Sequence, residues 1–270
     1  MTLVELLIVL SIVGLIASLG ATFISRMASE QQANRGRLML AQSVDGALAQ
    51  LQDQLQQALP NSLRVQSNPD GVWIEWVPLL DAGVARLGPD TTGATAGDPL
   101  NADNAADTSF DVVGVPLATP AVPAWIVWQN LGTPEADAYL GSNRRGGLAV
   151  AGGGTQISFT AGAALPAGSG SGRFFIVGAP LTVACRPAAG GGFELWRYGG
   201  YGWQASQPSS SAAVSSGSAD LLGSGLTACQ ASYGSALANI GLLNLRVTVQ
   251  DSGSSARMTL VHQIAVDNSP

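Results

Sequence analysis

One carboxylate stands where a carboxylate is costly. Glu5 precedes the uncharged run 6–24, in which almost every position is apolar. About 20 such residues cross the hydrocarbon core of a bilayer. Glu5 therefore sits at a membrane edge, where an acid needs a partner and is a functional residue by default. The bland readings are a plain anchor or a signal-peptide core. A signal peptide carries its charges before the apolar run and small residues at its end; here an acid precedes the run and Arg26 follows it.

Other side chains with chemical potential are few. His262 is the one histidine and lies in an alternating C-terminal stretch, so a triad or a metal cluster lacks its further members. A structural strand histidine is the simpler reading. The acidic segment Asp98, Asp103, Asn104, Asp107 and Asp111 offers the oxygen ligands that Ca2+ takes, without the spacing of the helix–loop–helix motif. Asp103, Asn104 and Asp107 are the candidates there, against a solvated loop. Trp196, Tyr198, Tyr201 and Trp203 suit either a sugar-binding surface or core and sheet packing. No glycine-rich stretch follows a strand and opens a helix with Lys and Ser/Thr, so no phosphate loop is expected. No cofactor is expected beyond the possible Ca2+, and no enzyme activity.

Composition narrows the class. The chain has 270 residues and a net charge of −6, and all twelve of its Lys and Arg positions are arginine. Nucleic acid would require a basic face and is not an expected partner. Cys185 and Cys229 are the two cysteines. They suit one disulfide in an exported domain, the alternative being two free thiols.

These residues need elements to position them. Beyond Ile24 the helix is expected to continue to Leu59. Leu40, Val44, Ala47, Leu48, Leu51, Leu55 and Ala58 recur at three- and four-residue steps, and Gln42, Gln50, Asp53, Gln54 and Gln57 occupy the other face. That is an amphipathic helix with one buried stripe, stopped at Pro60-Asn61. A separate helix after a break at Ser25 is the alternative. Strands are expected at 72–77, 110–113, 124–129, 156–160, 173–177, 181–186, 194–198, 242–250 and 257–266. Gly/Ser/Pro tracts at 152–154, 167–172, 190–192 and 208–217 read as loops, and 81–109 as a long surface loop or insertion. The fold class is α+β, a long N-terminal helix on a mainly antiparallel β head. Its parts are 1–25 (membrane half), 26–59 (amphipathic half) and 60–270 (head).

The N-terminus resembles that of the mature type IV pilin family, which includes the type II secretion pseudopilins. Thr2, Leu3, Val4 and Glu5 fit the family pattern position by position; Met1 stands where the family usually has Phe. Further segments are similar to minor pilins of the mannose-sensitive haemagglutinin (MSHA) pilus system: 136–139 with 141–144, 173–177, 184–186 with 195–198 and 200–201, 228–229 with 232–233, and 260–263 through 266–270. The resemblance implies a type IV pilin fold. It also implies that Met1 is the first residue after a basic leader is removed by the prepilin peptidase, and that its amine is N-methylated. Glu5 would pair with the Met1 amine of an adjacent subunit. Two isolated ions in low dielectric are prohibitive, whereas a pair is tolerable.

The implied partners are the major pilin, other minor pilins, the prepilin peptidase, the inner-membrane assembly platform, and the membrane itself through residues 6–24. The implied location is the inner membrane, single-pass with a periplasmic head, and then the extracellular pilus. The expected function is that of a minor pilin which primes or joins filament assembly at or near the tip. The rivals are a minor pseudopilin of a type II secretion system, a pilus-tip or membrane-anchored adhesin and, disfavoured by the residue inventory, an anchored hydrolase.

Overall fold

The computed structural model describes residues 2–88, 97–166, 172–237, 239–250 and 257–269, with the side chains of 32–41, 43 and 235–237 left out. One unbroken helix, α1, runs Leu3–Gln56, so there is no break at Ser25. Its 54 residues make it about 80 Å long at 1.5 Å per residue. Thr2 caps it: the Thr2 hydroxyl accepts from the Glu5 N–H (3.4 Å), and the Glu5 carboxylate accepts from the Thr2 N–H (3.1 Å). That reciprocal pair is a capping box, which satisfies two orphan donors at the helix start.

From Val44 the predicted stripe goes into the core. Val44, Leu48, Leu51, Leu55 and Ala58 are buried, while Gln42, Gln50, Asp53 and Gln57 stay exposed. Leu40 lies outside the described side chains.

The strands are β1 (Arg64–Asn68), β2 (Gly71–Trp76), β3 (Leu79–Ala85), β4 (Ser109–Val113), β5 (Trp125–Trp128), β6 (Arg144–Arg145), β7 (Ala149–Ala151), β8 (Gln156–Ser158), β9 (Arg173–Val177), β10 (Leu181–Pro187), β11 (Phe193–Gly199), β12 (Ser218–Leu237), β13 (Ile240–Gln250) and β14 (Arg257–Asp267). Among the described residues they form two seven-stranded antiparallel sheets, ordered β1-β2-β10-β11-β12-β13-β14 and β6-β5-β9-β3-β4-β8-β7.

The first sheet carries the helix. Ile74, Trp76, Val183, Cys185, Leu195, Leu243, Leu245, Val247 and Ile264 close over Val44, Leu48, Leu51 and Leu55 in one cluster. Strand alternation sends Trp73, Ala184 and Tyr198 to the opposite face, where Tyr201 and Val214 of the 200–217 segment cover them. β12 is shared lengthwise: residues 218–226 pair with β11 and residues 226–237 with β13.

The second sheet has its own aromatic core. Phe110, Trp128, Phe159 and Phe174 meet there, with centroids 5.1 Å apart for Phe110–Phe174 and 5.3 Å for Trp128–Phe159. A third cluster, including Leu59, Val77, Tyr139, Phe175 and Val177, joins this sheet to the end of the helix.

Two expectations need correction. The stretch 81–109 is not a surface loop throughout. Its start belongs to β3, which pairs with β9 from Leu79↔Val177 to Val84↔Arg173. Leu100 is buried, and its N–H donates to the Arg86 carbonyl at 2.8 Å. Residues 89–96 lie outside the described residues. The Asp81-Ala-Gly83 step hid β3, because the fit of its small residue comes from a neighbour. At Gly83 a Cβ would come within 2.6 Å of the Phe174 ring, so the small residue leaves room for the large one.

The second correction is β12, which, like β1 and the short β6 and β7, does not appear among the expected strands. Its Gly, Ser and Ala content lacks strand propensity, and pairing with two different strands supplies the order instead.

Candidate functional site

The helix and Glu5 come first. The span Leu3–Gln31 is long and apolar enough to cross a membrane, with a mean hydropathy of 2.5 and none of that window buried within the chain. Leu3, Leu6, Leu10, Leu15, Leu19 and Phe23 are each more than half exposed. Ser11, Ser18, Thr22, Ser25 and Ser29 interrupt the apolar surface, but each hydroxyl donates to a helix carbonyl three or four residues back, at 2.8–2.9 Å. As far as Ser25 the span thus carries little unsatisfied polarity apart from Glu5, whose carboxylate is held by its own helix start; Arg26, Glu30 and Gln31 lie at its far end. Met1 lies outside the described residues.

Cys185 and Cys229 form a disulfide, with Cα atoms 6.4 Å apart and a sequence separation of 44. The bridge links β10 to the part of β12 that has left β11, so it ties together strands that no ladder joins at that point.

The acidic segment is organised by its own backbone. Asp107 accepts from the Asn101 N–H (2.6 Å) and Asn104 from the Ala106 N–H (3.0 Å). Asp98 accepts from the Ser109 hydroxyl (2.6 Å), and Asp111 from the Asp98 N–H (2.9 Å). Among the described residues no three His, Cys, Asp or Glu side chains, Asp103 included, gather as a metal ion requires. His262 faces the helix: its Nε2 lies 3.2 Å from Asp45 Oδ1.

The aromatics divide. Tyr198 and Tyr201 are buried with Trp73. Trp203 meets Trp125 and Tyr139 edge-on and lies 3.8 Å beneath the Arg144 guanidinium. Trp196 is half-buried under Arg186 at 4.4 Å.

Sequence reasoning missed a buried ion pair at the junction of the sheets. Glu75 on β2 is fully buried. Arg64 on β1 grips one of its oxygens through Nε (2.9 Å) and Nη2 (2.5 Å), and the Tyr201 hydroxyl donates to the other at 2.9 Å. Thr182 lies 2.7 Å from that hydroxyl. The Arg64 guanidinium rests 3.5 Å over the Tyr139 ring and donates to the carbonyls of Ala205 (2.7 Å) and Gln204 (3.0 Å). One arginine therefore clasps β1, β2, the 200–217 segment and the 130–143 loop. A signal existed: a lone Glu in the otherwise apolar Val72-Trp-Ile-Glu-Trp-Val77 must find a partner if the strand is buried on both faces.

Burial raises Glu75 above its usual value of 4.5, against the lowering effect of Arg64. The folded state then binds this proton more tightly than the unfolded chain. Glu75's favourable contribution is complete below the usual carboxylate value and is lost as pH rises through the raised one. Glu75→Gln removes that titration. The stability of the unsubstituted protein minus that of Glu75→Gln is therefore expected to fall as pH rises above 4.5, measured by urea unfolding across the range. A flat difference would show that the carboxylate does not titrate abnormally.

The arrangement as a whole defines an apolar helical arm fixed to a disulfide-stapled, two-sheet head. Comparison with protein-family models, curated proteins and solved structures found no match.

Proposed function

We propose that this chain is a type IV pilin-like filament subunit, a non-enzymatic building block. More particularly, we read it as an MshO-like minor pilin of an MSHA-type pilus, which joins or primes assembly at or near the tip. The observation that carries this reading is the arm itself: an apolar helix, exposed from Leu3 to Gln31, that continues without a break into the half packed on the head and bears one acid at its start.

An anchor needs only to end in the membrane. A filament subunit needs an arm that lipid covers first and other helices cover later, built rigidly into the head. α1 meets both requirements. In this reading the head is periplasmic until assembly. Glu5 then exchanges its contact with the Thr2 N–H for the terminal amine of a neighbouring subunit. The prepilin peptidase supplies that amine at Met1. The major pilin, other minor pilins and the assembly platform are the partners.

The test has two parts. In a strain lacking the chain, sheared pili are expected to be lost while protein export stays normal. Lost export with normal pili would move the chain to the pseudopilins of type II secretion, and a defect confined to attachment would make the head an adhesin. Glu5→Ala is expected to reduce incorporation into sheared filaments by at least tenfold while the head remains folded and disulfide-bonded. Incorporation at the unsubstituted level would overturn the charge-pairing mechanism.

A further inference from the structure

Among the described residues the two sheets have four outer strands, β1 and β14 in the first and β6 and β7 in the second. An outer strand offers unpaired N–H and C=O groups to any other chain, and proteins shorten, cover or bend such strands. All but one follow that rule here. β6 has two residues and β7 three. The 200–217 segment covers β1: Gln207 Nε2 donates to Arg64 O (3.1 Å), and Asn68 Nδ2 donates to Ser209 O (2.8 Å). β14 is the exception. It has eleven residues, and its ladder with β13 shows no bulge from Ile240↔Asp267 to Gln250↔Arg257. Between Arg257 and Asp267 it contains no proline, lysine, arginine or carboxylate.

The direction of its free groups follows from the ladder. The Asn268 N–H donates to Asn239 O (2.9 Å), and antiparallel ladder bonds recur at every second residue. The even positions from 258 to 266 therefore bond to β13. Arg257, Thr259, Val261, Gln263, Ala265 and Asp267 turn their N–H and C=O groups away from the sheet. The Thr248 and Thr259 hydroxyls lie 3.0 Å apart, the close side-chain approach of a pair without backbone bonds. The side chains of the outward residues are exposed as well. On the other face Met258 is exposed, while Leu260 and His262 are half-buried, with Asp45 of α1 3.2 Å from His262.

Charge and shape narrow the occupant. Arg257 stands at one end with a neutral partner, Gln250 Oε1, at 3.1 Å. Asp267 at the other end accepts the Ser269 N–H (2.8 Å) and feels the charge of Arg173. A second copy, paired antiparallel so that Arg257 meets Asp267, would be centred on His262. α1 passes there, held by Asp45, so the two helices would meet across the axis. A lone extended segment brings no helix.

We propose that β14 is a docking edge for an extended segment of a partner protein, which joins the first sheet as an antiparallel strand, presents an acid to Arg257 and lays apolar side chains beside Met258 and Leu260. Backbone hydrogen bonds supply affinity in strand addition, and side chains supply specificity. Here the acid fixes the register. The inference rests on the head alone and stands or falls apart from the filament reading.

The test uses the full chain in detergent and a fluorescein-labelled peptide with the sequence of residues 257–267. In antiparallel register the aspartate of that peptide meets Arg257. Saturable binding by fluorescence anisotropy, with slowed amide exchange at Thr259, Val261, Gln263 and Ala265, supports the edge. Val261→Pro removes an outward donor that the ladder does not use. It is expected to weaken binding by about tenfold, the effect of roughly one hydrogen bond. Arg257→Asp is expected to weaken it as well, and a peptide with arginine in place of that aspartate to recover the loss. Absence of saturable binding, or binding unchanged by both substitutions, overturns the proposal. So does a full chain that dimerises in detergent and loses the dimer with Val261→Pro, because a second copy would then be the occupant. If Val261→Pro does not fold, the exposed Arg257 position and its matched peptide still decide.

Discussion

Arg64→Ala is expected to destabilise the head by about 3–5 kcal/mol, the usual cost of removing one member of a buried ion pair and leaving the other uncompensated. Glu75 is fully buried and would lose two charge-assisted hydrogen bonds. With the cation that lowers its pKa gone, the carboxyl would take up a proton more readily still. The loss spreads beyond the pair. The carbonyls of Gln204 and Ala205 lose their donor and the Tyr139 ring loses its cover, so the 200–217 segment should loosen from the face of Trp73 and Tyr198. Urea unfolding of the head without its apolar arm checks the first effect, and amide exchange over 200–217 the second. Arg64→Ala combined with Glu75→Leu is expected to recover part of the loss, because an apolar replacement for both charges leaves none buried. A loss below about 1 kcal/mol for Arg64→Ala alone would place the pair among ordinary surface bridges and remove it as the organising contact of the junction.

Cys185→Ala with Cys229→Ala is expected to cost about 4 kcal/mol, from the unfolded-state entropy that a closed loop of this size removes. The sequence separation is 44. With total stabilities of about 5–15 kcal/mol for a domain, either this change or Arg64→Ala removes a large share of what holds the head folded. The disulfide acts where pairing is thinnest. Beyond residue 226 β12 has no ladder to β11 and relies on β13. Reduction should therefore free the β12–β13–β14 portion before the β2–β10–β11 portion. Amide exchange under reducing conditions would show that order, and uniform exchange across the sheet would refute it.

The largest features were legible in the chain because they depend on local periodicity. The apolar arm, its continuation as an amphipathic helix and the strands 173–177 and 181–186 follow from side chains recurring at intervals of 3.6 or 2 along one segment. The disulfide was legible too, as two cysteines behind an export-type N-terminus. β3 and β12 were not, since both are rich in small residues and owe their order to partners distant in sequence: Phe174 over Gly83 for one, two successive neighbour strands for the other.

The candidate site divides in the same way. Glu5 stands out by itself, as a charge in an apolar run needs no fold to be noticed. The Arg64–Glu75–Tyr201 clasp joins residues from three separate segments, and pairing across such separations leaves no periodic trace. The open edge of β14 is likewise a matter of which strands meet. By itself the sequence determined that an apolar helical arm leads into a stapled β head, because helix and strand formation respond to near neighbours. Only the tertiary structure decided that the head is two sheets, one carrying the helix and one joined to its end, because sheet pairing is settled by contacts between residues far apart in the chain.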